Sequence, residues 1–285
     1  MKRSRIITLI CLPVVLVLLI IACKKNTVII TNPPLQSSFA GNPGGAYYIK
    51  NDPNSIFKIP VGLTTISDKD TKITVAVSSP TGATAGTQYS LPSNTVTIPA
   101  GKVEDSISIK GLFSGYPGSR RDTLNFTISG GDVPATIYNG SYSLVLQKYC
   151  DVLLAAFSGS YTQCADIQGA SYGPYSTNIV SATSTGSTSA TLVIKNLAAG
   201  AFGPFGATDS SFTRGITVNI DWSNPAKFTT TIPSQPLYKD PTYGNATIKG
   251  VGTGTFSSCD NTFTFSYAVT VAAGSFGNFT ATMAK

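Results

Sequence analysis

Apolar and polar positions alternate along most of this chain after residue 46. Ile56-Phe-Lys-Ile-Pro-Val61, Ile73-Thr-Val-Ala-Val77, Thr95-Val-Thr-Ile98, Ser106-Ile-Ser-Ile109, Leu124-Asn-Phe-Thr-Ile128 and Tyr142-Ser-Leu-Val-Leu146 each change character at every second residue. A period of two turns one face of a strand to a core and the other to water. Gly, Pro, Asn and Asp punctuate these runs, and short strands spaced in this way predict a sandwich. A second series follows: Leu153–Tyr161, Asn178–Ala182, Ala190–Lys195, Ile216–Trp222, Lys227–Ile232, Asn245–Val251, Gly254–Ser257, Thr262–Val271 and Asn278–Met283. So many strands in succession predict an antiparallel meander closed as a β-barrel or a curled sandwich. No stretch after residue 23 keeps the i, i+3, i+4, i+7 spacing of an amphipathic helix. The fold class expected is all-β: an Ig-like β-sandwich at 46–149, then an antiparallel β-barrel-like domain at 150–285.

The first 23 residues have a different pattern. Met1-Lys-Arg-Ser-Arg5 is basic, Ile6 to Ile21 is almost unbroken apolar sequence, and Ala22 precedes Cys23. This is the layout of a secretory signal, and its apolar run falls short of the ~20 residues of a spanning helix. A small residue directly before cysteine resembles the lipobox of bacterial lipoproteins. The resemblance implies a signal peptide over 1–22, acylation of Cys23 as the mature N-terminus, and an outer-membrane, lipid-anchored protein facing the cell surface or the periplasm. Residues 23–45, with Asn32-Pro-Pro34 and Gly41-Asn-Pro-Gly-Gly45, are expected to form a flexible tether.

A second resemblance is carried by Ala83-Thr-Ala-Gly-Thr-Gln-Tyr89, Thr95-Val-Thr-Ile-Pro-Ala-Gly-Lys102 and Ser106-Ile-Ser-Ile109, with Asp122-Thr-Leu-Asn-Phe-Thr-Ile128 as the next core strand. These segments resemble a Calx-beta-type repeat, as found in N-terminal domains of Bacteroidetes envelope lipoproteins. The resemblance implies an Ig-like sandwich followed by a C-terminal β-domain of unknown function. The family's pattern usually has aspartate where this chain has Gln88, and only Asp52, Asp68 and Asp70 stand in loops as calcium candidates. A calcium site takes about six to eight oxygens, so no metal and no cofactor are expected.

Composition narrows the chemistry. The sequence has no histidine, and Glu104 is the sole glutamate. Ser-His-Asp and Cys-His mechanisms are therefore closed to this chain alone. An aspartate-based hydrolase would have to rely on Asp209 with Asp240, and no spacing supports that pair; the chain is expected not to be an enzyme. Of the 20 basic residues, Lys2, Arg3 and Arg5 leave with the signal, so 17 face 13 acids, about +4 in place of +7. The bases are scattered without interleaved aromatics, which argues against nucleic acid as a partner.

Cys150, Cys164 and Cys259 remain for an oxidising compartment. Gly159-Ser-Tyr161 and Gly254-Thr-Phe256 precede Cys164 and Cys259 in the same way, so Cys164–Cys259 is the expected disulfide, with Cys150–Cys164 as the alternative. Gly250-x-Gly-x-Gly254 lacks the helix and lysine of a phosphate loop and reads as a permissive turn.

The candidate ligand residues are aromatic. Tyr172-Gly-Pro-Tyr175, Phe202-Gly-Pro-Phe205, Tyr238 and Tyr243 lie in Gly/Pro-rich stretches between the expected strands. Such rings either stand as platforms on which sugars stack, or fold over the barrel end and plug it, the commoner use. The functional expectation is a non-catalytic binding module, its partner a polysaccharide or another envelope protein, held to the membrane through Cys23. The alternative is a structural or adhesive spacer with protein partners only.

Overall fold

The computed structural model describes residues 33–206 and 215–285, so Cys23, the expected signal peptide over 1–22 and Asp209 lie outside the described residues. The fold is all-β, as the alternation predicts. Strands β1 (Ser37–Phe39), β3 (Phe57–Leu63), β5 (Tyr89–Ser90) and β7 (Glu104–Gly111) make one sheet in the order β1-β3-β7-β5. Strands β2 (Gly44–Ile49), β4 (Thr71–Ser78), β6 (Thr95–Ile98), β8 (Arg121–Gly131) and β9 (Ser141–Lys148) make the other, in the order β2-β9-β8-β4-β6. Only β2–β9 is a parallel pair within these two sheets. Ile49, Ile59, Ile73, Ile98, Ile109, Leu124, Phe126, Leu144 and Leu146 are wholly buried between the sheets. These are the inward members of the alternating runs.

Of the segment 23–45 expected to be a flexible tether, residues 33–45 are described, and they include β1 and the start of β2. Residues from Pro34 on are already tied to the sandwich, and Ser37 and Phe39 of β1 are buried. Phe39 packs on Tyr142 at 5.7 Å between ring centroids. A Pro/Gly-rich composition set the expectation, and one well-placed aromatic ring overrode it.

Beyond β9 a short helix α1 (Leu154–Phe157) leads into β10 (Gly159–Gln168), β11 (Ala170–Gly186) and β12 (Ser189–Lys195). A second helix, α2 (Ala199–Gly206), is followed by β13 (Ile216–Asp221), β14 (Thr229–Thr231), β15 (Gln235–Asp240), β16 (Gly244–Gly250), β17 (Gly254–Ser257), β18 (Thr262–Val271) and β19 (Gly274–Ala284). All belong to one antiparallel sheet that closes on itself: β10-β11-β12-β13-β14-β17-β18-β19, with β19 pairing back onto β10. One edge of β18 is shared. Phe263 and Thr262 pair with β17, whereas Tyr267 to Thr270 pair with β16. The β15–β16 hairpin completes that part of the wall. Gln235 binds the Thr217 backbone through both amide atoms, at 2.9 and 2.8 Å, in place of a strand pair.

The barrel is filled by its own side chains. Leu192, Ile194, Val218, Ile220, Phe265, Tyr267 and Val269 are buried inside it. A phenylalanine stoppers each end: Phe157 of α1 packs on Phe263 at 5.1 Å, and Phe202 of α2 packs on Phe279 at 5.0 Å. Both helices contradict the expectation of strand or loop there. Neither carries a periodic apolar stripe; each is a single plug whose helical turn is made by tertiary contact.

Gly250-x-Gly-x-Gly254 is explained by close approach. A Cβ at Gly254 would lie 2.0 Å from the Thr264 carbonyl oxygen and 2.4 Å from Thr230 Oγ1. One at Gly250 would meet the Ile232 backbone at 3.0 Å. We expect Gly254→Ala to cost about 1–3 kcal/mol in chemical denaturation, the usual penalty of overpacking. Gly130→Ala on β8, where nothing lies within 4 Å, should change stability far less.

Candidate functional site

The aromatics singled out in the sequence gather at the barrel end farthest from the sandwich, but most do not form a rim. Tyr172 and Tyr175 are part of β11 itself, Tyr238 is part of β15, and Phe202 is the plug of α2. Phe202 and Tyr238 are buried, with ring centroids 6.0 Å apart. The Tyr238 hydroxyl donates to Asp240 Oδ2 at 3.0 Å, and burial pushes its pKa up to about 12. Their expected role as ligand platforms is thereby corrected: an apolar ring at the mouth of a filled barrel is worth more inside than out. Tyr172 and Tyr243 do face solvent, at 40% and 50% exposure. Tyr243 packs edge-on against Phe276 at 6.0 Å. The side chain of Phe205 lies outside the described residues.

Tyr175 faces an interior charge that sequence reasoning missed. Asp166 of β10 is wholly buried and accepts hydrogen bonds from the Tyr175 hydroxyl (3.0 Å), the Tyr267 hydroxyl (3.0 Å) and the Ala201 amide (3.0 Å). Burial raises its pKa above the ordinary carboxylate range, against the lowering effect of these donors. The Ala201 amide is an early turn of α2, so the carboxylate holds the plug in place. An acid on the inward register of a strand was the available signal, but only the tertiary donors give it a role. Asp240 is likewise spent on structure. Its Oδ1 accepts from the amides of Thr242 and Tyr243, both at 2.8 Å, and these bonds lower its pKa.

The disulfide is Cys150–Cys259, with Cα atoms 5.2 Å apart, and not Cys164–Cys259. Cys164 points into the barrel, where its Sγ lies 3.4 Å from the Tyr161 carbonyl oxygen and from Thr177 Oγ1. Cys259 sits at the β17–β18 turn, on the side facing the sandwich. Cys164 is buried in the barrel interior whereas Cys259 lies in a turn at its end, which similar flanking sequence could not reveal. The alternative, Cys150–Cys164, fails for the same reason.

That bridge closes the back of a cleft between sandwich and barrel. The cleft has a volume of about 310 Å³. Tyr149 and Phe228 meet there edge-to-face at 5.9 Å, and Phe256 lies 5.2 Å beyond Phe228. Ser258 Oγ donates to the Cys150 carbonyl at 2.7 Å, Gln147 Nε2 reaches the Ala226 carbonyl at 3.4 Å, and Lys148 pairs with Asp260 at 3.8 Å. The lining joins these rings to the hydroxyls of Ser119, Thr255, Ser257 and Thr262, with Arg120 and Lys227 among them. No carboxylate lines it among the described residues. A second hollow of about 520 Å³ lies on the outer barrel wall among Thr191, Asn219 and Thr231, and holds no aromatic ring.

No family model and no curated protein matches the chain. Among solved structures it is similar to the apo form of a Calx CBD1 domain, at 13% identity and a TM-score of 0.33, over 40% of this chain and 96% of that one. A Bacteroides ovatus protein of unknown function is similar at 12% identity and a TM-score of 0.34, over 88% of this chain and 94% of that one. A candidate carbohydrate-binding protein from Bacteroides ovatus ATCC 8483 is similar at 12% identity and a TM-score of 0.33, over 85% and 69%. Likeness at this level leaves the function to this chain's own residues.

Two measurements check the interior. Peptide mapping should recover Cys150 linked to Cys259, with Cys164 alkylated only after unfolding, since burial keeps its thiol protonated. The folded chain also holds the Asp166 proton to higher pH than the unfolded chain, so its stabilising effect is complete below about pH 4 and is lost as pH rises through the raised value. The stability difference between wild type and Asp166→Asn should accordingly shrink as pH rises above about 4. A constant difference would mean an unshifted carboxyl.

Proposed function

We propose that this chain is a lipid-anchored, non-catalytic envelope protein that binds a glycan in the cleft between its two β-units. The observation that carries this reading is the cleft lining: aromatic faces and hydroxyls on walls held at fixed spacing by the Cys150–Cys259 bridge. Sugar rings stack on aromatic faces through C–H groups, while serine and threonine hydroxyls pair with sugar hydroxyls. Lys227 favours a glycan with acidic substituents, whereas Arg120 is already paired with the buried Asp122 at 2.8 Å. The absence of histidine from the sequence, and of carboxylates from the cleft lining among the described residues, supports binding over turnover. The lipobox-like run ending at Cys23 supports an anchor in the outer membrane.

Affinity electrophoresis through gels carrying neutral and acidic polysaccharides tests the cleft. At least one acidic polysaccharide should retard the native protein, and Phe228→Ala or Lys227→Ala should weaken that retention by about tenfold or more. Tyr172→Ala and Tyr243→Ala should leave it unchanged. The opposite pattern would move the site to the far barrel end, and retention equal in all four variants would remove the cleft from the function.

A further inference from the structure

The sandwich end opposite the barrel carries an apolar tip that the fold does not use. Three loops meet there around the first described residues. Thr64 accepts from and donates to Gln36 and also donates to the Pro34 carbonyl; Ser37 and Thr136 exchange backbone bonds with Pro134 and Ser37; and the Leu63 amide donates to the Val103 carbonyl. From these loops Ile66, Val103, Ile137 and Tyr138 project at 65%, 44%, 89% and 77% exposure. Two adjacent, nearly bare apolar side chains are costly on a surface that meets only water. The barrel leaves the sandwich from the other end, where β9 runs into Cys150, so this tip cannot be part of the cleft.

We infer that this tip rests in the lipid leaflet that holds the anchor. The inference rests on the lipid-anchor part of the function proposed above. Residues 24–32 separate Cys23 from Pro33. At full extension that span reaches at most about 35 Å, so Ile137 and Tyr138 stay within one short arm of the membrane. Tethering at such range raises the local concentration of the surface and makes even weak insertion effective. Tyrosine suits the headgroup layer, with its ring in the acyl boundary and its hydroxyl in water, and isoleucines suit the layer below. Around the tip Lys69, Lys72 and Lys102 stand among Asp68, Asp70, Glu104, Asp105 and Asp132. Asp70 is tied to the Ala100 amide and Asp132 to the Lys72 amide. With charge of both signs the contact is apolar in origin and does not require anionic lipid. The sandwich is then a strut standing on its tip, with the cleft and barrel directed away from the bilayer.

Tyr138→Trp in the full processed protein, reconstituted in phosphatidylcholine vesicles brominated high on the acyl chains, tests this placement. Relative to native protein, whose single Trp222 packs against the barrel core, the added emission should be blue-shifted and lose about half its intensity in brominated vesicles, as for a ring seated at the headgroup–acyl boundary. The effect should persist in high salt. Protein that floats with vesicles but shows unquenched, water-like emission at position 138 would overturn the seated tip and leave the anchor standing. Protein that does not float would overturn both. Quenching replaced by a concentration-dependent dimer would assign the tip to a second copy and overturn the lipid contact.

Discussion

The joint at Tyr149-Cys150 governs what the rest of the molecule can do. β9 carries the chain out of the sandwich, the Tyr149 amide binds the Ile49 carbonyl at 2.9 Å, and the next residue is bonded to Cys259 across 109 positions of sequence. A bridge over so long a loop restricts the unfolded chain strongly, on the order of 4–5 kcal/mol in the chain-entropy model. Here it also sets the spacing of the cleft walls. The ion pairs nearby, Lys50–Asp151 and Lys148–Asp260, are partly solvated and add little by comparison. Packing of Tyr149 on Phe228 and the bridge behind it make the joint a fixed corner.

Because the barrel spends its interior on its own rings, any ligand would have to meet a surface. Phe157 and Phe202 close the two mouths, and Asp166 ties the second plug to two tyrosines across the core. A buried carboxylate with three donors is acceptable where an unpaired one would not be. The functional proposals therefore lie outside the barrel lumen: the cleft on one side of the sandwich, and the apolar tip on the other. On these proposals the two ends would divide labour between a ligand and a lipid surface.

Much of the architecture was legible because strand alternation is a local signal. The buried Ile, Leu and Phe of β7, β8, β9, β12 and β18 are the ones that the period of two assigns to the core. The candidate site was far less legible. Tyr172, Tyr175, Phe202 and Tyr238 sit in Gly/Pro-rich sequence that looks like loop, yet β11 runs through Gly173-Pro174 and α2 forms from Ala199-Gly-Ala-Phe202. Their neighbours in sequence say nothing about the lumen that Tyr175, Phe202 and Tyr238 pack into. Phe228 and Tyr149 drew no notice because their meeting needs two separate units to be brought together.

Local chemistry, then, determined that this is a chain of short strands with an apolar run ending in Ala22-Cys23, without the histidine on which much catalysis depends. Those properties reside in residue type and spacing, which are present before folding. Only the tertiary structure decided that the barrel closes through β18, that Cys259 meets Cys150 and not Cys164, and that rings between strands become plugs. Each of these turns on which face of a wall a side chain takes and what stands across from it, and that is settled only when distant strands pair.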